Sequence, residues 1–259
     1  LPSLKIMKIE AEGASLEVKL TGDSNKPALM LWHGAGCTLK MWDHVIEYLK
    51  DRFLIISFDI RGVGQSVESQ SSQIQYTFEQ YSEDANNILD HLGLNKIHIW
   101  SMAWGSRAAM AYCSLNPDKV ISAVFSDASI GVADVEAQKL GAKEAFLKQS
   151  ESGIEPFIKP TGWNEHLNPE TVSSALAAAG KFNLNNAIQY LNMPVMVMTG
   201  DHDPNLDSSK EIVRQLSNAE LVILEEVGHG SVLQRPDLAS KNFIHFHNLL
   251  DIKKGMIDG

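Results

Sequence analysis

The sequence predicts an α/β fold: a mostly parallel eight-stranded sheet flanked by helices, interrupted by a helical insertion. Three observations carry this. Continuous apolar runs such as Ala28 to Trp32 and Phe53 to Phe58 suit strands buried on both faces. Strands alternate with segments of helical period, the pattern of a sheet covered on both sides. From about Ser129 to Asn192 no buried strand occurs, and then the alternation resumes. The expected organisation is a core of residues 1–128 and 193–259 with a helical cap, or lid, at 129–192.

Taken in order, Lys5 to Glu10 and Ser15 to Leu20 read as two strands around a Gly-containing turn. In the second, Glu17 and Lys19 alternate with Leu16, Val18 and Leu20, as at a half-exposed edge. Ala28 to Trp32 follows, then a helix at Met41 to Leu49 and a strand at Phe53 to Phe58. Thr77 opens the next helix through a capping box with Gln80, and Gly93 ends it. Phe78, Tyr81, Ala85, Ile88, Leu89 and Leu92 share one face. A strand at Lys96 to Trp100, a helix to about Asn116 and a strand at Val120 to Phe125 complete the first half. The insertion reads as helices at Val132 to Lys148, Asn168 to Ala179 and Asn183 to Leu191. Strands at Pro194 to Thr199 and Glu220 to Leu224 flank a helix at about Ser208 to Leu216. A last helix spans about Asp237 to Leu250, and Asp251 to Gly259 reads as a frayed polar tail.

Composition narrows the function. The 259 residues suffice for one large domain, or a core with a small second unit. A net charge of −10 argues against nucleic-acid or anionic-membrane surfaces, which need clustered Lys and Arg. No apolar run reaches about 18 residues, so no membrane span is expected. No signal-peptide pattern opens the chain, and its first residue, Leu1, reads as a trimmed or processed start. Cys37 and Cys113 are too few for a disulfide framework or a Cys-based zinc site, so a reducing, cytoplasmic setting is expected. No H-E-x-x-H or paired Cys occurs, so neither metal nor other cofactor is expected. The expected partner is a small-molecule substrate.

The chemistry-bearing stretch is Ser101-Met102-Ala103-Trp104-Gly105, between a strand and an Ala-rich helix. Small residues flank a tight strand-to-helix turn, the frame of the nucleophile elbow G-x-S-x-G, with Ser for the first Gly. The frame needs them because its central residue sits in a strained conformation that crowds its neighbours. That central residue should carry a nucleophilic oxygen. Here it is Ala103, whose methyl group cannot attack. Ser106 lies a turn into the helix and Ser101 precedes the apex, so neither is expected to substitute.

Four further motifs stand in order: His33-Gly34-Ala35-Gly36, Asp59-Ile60-Arg61-Gly62-Val63-Gly64-Gln65-Ser66, Gly200-Asp201-His202-Asp203 and Gly228-His229. With the elbow they resemble the α/β-hydrolase fold family over about residues 27 to 250, apart from the insertion. Trp104-Gly105-Ser106 and the Arg-Gly loop most resemble its proline-iminopeptidase and esterase-like branches. The resemblance implies that position 103 is the nucleophile site and His229 the general base, with Asp203 orienting it. Asp201 and Asp127 are rivals for the acid. It further implies an oxyanion hole from the backbone N–H groups of Ala35 and Trp104, and substrate contacts at Gly34 and Trp104. His33 is expected to be structural, His98 and Trp100 to be core, and His202 a solvated loop residue. Arg61-Gly62-Val63-Gly64 lacks the G-K-[ST] ending of a phosphate loop.

The resemblance implies hydrolysis of a small ester, lactone, thioester or amide, with a C–C bond hydrolase as an alternative. With Ala103 the chain should be nearly inactive, since losing a triad nucleophile costs about a million-fold in kcat. Three readings stay open: a serine hydrolase whose nucleophile has been replaced by Ala, a natural non-catalytic ligand-binding member, and a knocked-out Asp nucleophile as in epoxide hydrolases or haloalkane dehalogenases. The insertion has no Arg, so it offers no bidentate carboxylate clamp.

Overall fold

A computed structural model of the chain describes residues 3–69 and 75–257. The sheet is laid down as β1 (Ser3–Ala11), β2 (Ala14–Gly22), β3 (Ala28–Trp32), β4 (Leu54–Phe58), β5 (Val67–Glu68), β6 (Ile97–Met102), β7 (Val120–Ser126), β8 (Val195–Gly200) and β9 (Ala219–Leu224). In space the order is β1-β2-β4-β3-β6-β7-β8-β9, with the two-residue β5 paired to β2 as a ninth strand that eight-strand patterning did not reveal. β1, β2, β4 and β5 pair antiparallel, and every pair from β4 to β9 is parallel. β2 is not the edge its alternation suggested. It lies between β1 and β4, and β1 takes the edge with Leu4 and Ile6 exposed.

The helices are α1 (Asp43–Leu49), α2 (Phe78–Leu92), α3 (Trp104–Leu115), α4 (Val135–Glu151), α5 (Pro169–Leu176), α6 (Leu184–Ala187), α7 (Leu206–Gln215), α8 (Ser231–Gln234) and α9 (Pro236–Ile257). Alternate strand residues split the core between two layers. Met30 and Trp32 pack with α2, α3 and α7, while Leu29 and Leu31 pack with α1, α8 and α9. Thr77 caps α2 by accepting the Gln80 N–H at 3.1 Å, and Gly93 closes it in the left-handed region at φ 68°. The expected tail is corrected: α9 runs on to Ile257 as exposed turns, because no breaker follows Leu250 before Gly255. Residues 258 and 259 lie outside the described set.

The second motif is a structural lock. The buried Asp59 carboxylate accepts N–H groups from Leu39 at 2.7 Å and Gln65 at 2.8 Å. Gly64, at φ 58°, passes so close that a side-chain carbon there would lie 2.2 Å from Asp59 Oδ2. Arg61 is fully buried against Asp84, with Nε to Oδ2 at 3.0 Å and Nη2 to Oδ1 at 2.7 Å. It also donates to Gln75 Oε1 and the Glu12 carbonyl. All three Arg61 nitrogens are thus used inside the protein, which fits the missing phosphate-loop ending.

A histidine pair, His247 buried and His98 half-buried, marks the α9 layer. His247 packs among Phe53, Phe243, Phe246 and His98, with ring centroids 4.4 to 5.5 Å away, and its Nε2 has no hydrogen-bond partner among the described residues. Burial pushes His247 down to about 3 and His98 to about 4. Below the unfolded value near 6.5 the unfolded chain binds protons that the folded chain refuses. Stability therefore falls as pH drops from about 6.5 toward 4, by up to about 1.4 kcal/mol per unit for each such group. We expect His247→Phe to flatten that fall, read as Tm from pH 7 to 4 beside the parent. An unchanged slope would contradict this role.

Candidate active site

The site is built at the carboxyl ends of the parallel strands. β3 pairs with β6 so that Trp32 lies opposite Ser101, which sets the loop after β3 beside the turn after β6. Ala103 occupies that turn at φ 54° and ψ −119°. An L residue there costs on the order of 1–3 kcal/mol, so the conformation must be imposed by its surroundings. The surroundings are visible. The Ala103 N–H donates to the Ser126 carbonyl at 2.8 Å, and its carbonyl accepts from the Ser106 N–H at 2.9 Å. Gly105 is obligatory, since a side-chain carbon there would lie 2.2 Å from the His33 carbonyl oxygen.

Both neighbouring serines point away from chemistry. Ser101 Oγ donates to Ser106 Oγ at 2.9 Å, Ser106 Oγ donates to the Ser126 carbonyl at 2.9 Å, and both residues are fully buried. A Ser at the first Gly of the frame is therefore tolerated by tying its hydroxyl inward.

The early loop is fixed by His33. Its Nε2 accepts the Ile60 N–H at 3.1 Å, and Nδ1 faces the Gly34 carbonyl at 2.9 Å. Burial holds it neutral by lowering its pKa to about 4. Gly34 is buried against Met102, and Ala35 is exposed at the loop tip. The Trp104 N–H opens α3, in the first turn, where helix amides lack intrahelical acceptors. Its indole N–H donates to the Leu176 carbonyl at 3.0 Å, and its ring meets Phe78 edge-on. That contact ties the elbow to the insertion.

His229 Nδ1 lies 2.9 Å from Asp203 Oδ2. Asp203 is buried, and its Oδ1 accepts the Asn205 N–H at 2.9 Å, so one oxygen is held while the other faces the ring. Burial opposes charge on His229, yet the Asp203 hydrogen bond and the charges of Asp127 and Asp203 outweigh it and raise its pKa. Asp201 points elsewhere, pairing with His202 at 2.6 Å. That pairing, with the His202 carbonyl packed against Gly141, corrects the expectation of a solvated loop residue at 202. Asp127 sits beside the pair, and its ligand atoms, with those of Asp203 and His229, lie within 4.8 Å of one another. Two of these three groups, Asp203 and His229, are bonded to each other.

The insertion crosses the same strand ends. Thr38 N–H donates to the Trp163 carbonyl at 2.7 Å, and Thr171 Oγ1 to the Gly62 carbonyl at 2.5 Å. In α4, a side-chain carbon at Gly141 would lie 1.9 Å from the His202 carbonyl oxygen. Likewise one at Gly228, just before His229, would lie 2.6 Å from Ala142 Cα. His166 bridges two glycine loops. Its Nδ1 accepts the Gly64 N–H at 2.9 Å and its Nε2 faces the Gly36 carbonyl at 3.0 Å. No local pattern announces it, because its partners lie more than 100 residues away. A cavity of about 100 Å³ between β2 and the Leu39 turn is lined by Glu17, Lys19, Asp43 and Asp59 and does not reach Ala103 or His229.

Comparison with known proteins agrees with this architecture. Residues 27–151 match the family model described as alpha/beta hydrolase fold. The chain is 23% identical to 3-oxoadipate enol-lactonase 1 of Acinetobacter baylyi, over 90% of this chain and 92% of that protein. It is 29% identical to proline iminopeptidase of Lactobacillus helveticus, over 46% of this chain and 42% of that protein. The crystal structure of the enol-lactonase from Burkholderia xenovorans LB400 superposes with a TM-score of 0.77 at 20% identity, covering 93% of this chain and all of that one. The fold is thus the α/β-hydrolase fold.

Proposed function

We propose that this chain of α/β-hydrolase fold is a hydrolase scaffold for a small ester, lactone or related acyl substrate, in which position 103, His229 and Asp203 form the catalytic constellation. The observation that carries the reading is the His229–Asp203 pair at 2.9 Å, set at the same strand ends as a strained elbow at φ 54°. That strain is costly at a plain turn and serves to expose a nucleophile at the apex. The similarity to enol-lactonases over nearly the whole chain supports an acyl substrate.

In this reading a hydroxyl at 103 attacks the acyl carbon, His229 takes its proton, and Asp203 steadies the imidazolium. The N–H groups of Ala35 and Trp104 receive the developing oxyanion. His229 then protonates the leaving alcohol, and water resolves the acyl intermediate by the same route. Ala103 withholds the first step, so the chain as it stands is an inactive nucleophile-to-Ala form. The segment 129–192 serves as the cap that closes over the acyl group.

Covalent labelling tests the assignment of position 103. An organophosphonate should add one adduct to Ala103→Ser, mapped to residue 103, and none to the parent. A folded Ser variant that stays unlabelled would favour a ligand-binding role. Turnover of epoxides or haloalkanes by Ala103→Asp would favour an Asp nucleophile, a reading supported by 25% identity to epoxide hydrolase 4 of Mus musculus over 46% of this chain.

A further inference from the structure

Asp127 directly follows β7 at φ 55°, an uncommon conformation for a residue with a side chain. It is fully buried. Its backbone continues the sheet, with N–H donating to the Met198 carbonyl at 2.9 Å, and its carbonyl accepts from Asn205 Nδ2 at 2.9 Å. Its Oδ2 accepts two backbone N–H groups, from Gly230 at 2.9 Å and Ser231 at 2.8 Å. These are the two residues that follow His229, and Ser231 opens α8. Its other oxygen, Oδ1, is buried with no hydrogen-bond partner among the described residues.

Two carboxyls therefore converge on one imidazole by different routes. Asp203 holds the ring nitrogen. Asp127 holds the backbone on the ring's C-terminal side, and its carbonyl accepts from the side chain of Asn205, the residue whose N–H fixes Asp203. We propose that Asp127 is a second, positioning carboxyl of this site: it anchors the loop that carries His229 and sets, through its own proton, how readily His229 accepts one. The inference rests on His229 being the base of the proposed mechanism.

The physics is that of like charges sharing a dry site. Two carboxylates within 4.8 Å cannot both ionise freely away from water. The two amides favour the ionised form of Asp127, while burial and the Asp203 charge oppose it more strongly, and the balance lifts Asp127 well above the usual carboxylate range. The charged groups that face Asp127 are Asp203 from the loop after β8 and His229 from the loop before α8. Arg107 of α3 donates to Ser129 Oγ and, among the described residues, has no carboxylate partner. When Asp127 is ionised it stabilises the imidazolium, so His229 takes up a proton more readily. When Asp127 carries a proton, that support is withdrawn.

NMR titration of the chain as it stands tests this without asking it to hydrolyse anything, so a failed ester assay and a failed titration are separate results. In the parent, the carboxyl carbon of Asp127 should titrate well above pH 4, and its curve should show a second step as His229 titrates. In Asp127→Asn, which keeps an acceptor oxygen for Gly230 and Ser231, the His229 midpoint should fall by about half a pH unit or more. The amide signals of Gly230 and Ser231 should stay close to their parent positions. A purely structural Asp127 would leave the His229 midpoint unmoved, and that result in a folded variant overturns the proposal. If Asp127→Asn does not fold, the parent carbon titration decides alone: a midpoint near 4 with no second step also overturns it.

Discussion

Ala103→Ser is expected to raise ester hydrolysis by several orders of magnitude, up to the roughly million-fold that a triad nucleophile contributes in kcat. One oxygen is enough because everything it needs is already held. The elbow is strained at φ 54° with Ala in place, so Ser inherits the geometry without reorganising the turn. The Asp203–His229 bond at 2.9 Å orients the base before substrate arrives. The gain should appear in kcat/KM for short-chain aryl esters and lactones. Its pH profile carries a further signature. His229 must be neutral to act as a base, and its pKa is raised above 6.5 by the two carboxylates. Activity should therefore be low below that pKa and climb as pH rises through it, with a midpoint on the alkaline side of 6.5.

The second large effect falls on stability. Arg61→Ala is expected to cost about 3–5 kcal/mol, because it leaves the buried Asp84 carboxylate uncompensated. Burial pushes Asp84 upward, and Arg61, with a smaller share from Gln80, counters it, so losing Arg61 forces Asp84 to take up a proton or unfold its surroundings. Urea unfolding at pH 7 reads the loss directly. Arg61→Met with Asp84→Leu, which removes both charges and keeps the volume, should recover much of it. A change under about 1 kcal/mol in the single variant would contradict the buried-pair argument.

Much of this architecture was legible in the sequence, and the reasons are local. The runs at Ala28 to Trp32 and Phe53 to Phe58 are largely apolar on both faces, as suits a covered parallel strand. Thr77 and Gly93 marked the ends of α2 because caps are one-residue decisions. Gly105 could be placed because its crowding by His33 follows from the turn itself. What escaped depends on residues far apart in sequence. Asp84 gives no sign that it will meet Arg61. The anchoring of the His229 loop by Asp127 spans more than 100 residues. His166 reaches Gly36 and Gly64 across 130 and 102 residues, so its bridging was invisible to spacing rules. The alternation in β2 was read as exposure, yet its half-exposed side chains project from a strand flanked on both sides.

The central claim is that the site lacks only a nucleophilic oxygen. Comparing kcat/KM of Ala103→Ser with that of Ala103→Ser/His229→Gln on one aryl ester tests it most directly. The account predicts that the single variant gains several orders of magnitude over the parent and that the second substitution returns it to the parent level. A folded Ala103→Ser with no gain, or a gain that survives the loss of His229, would contradict it.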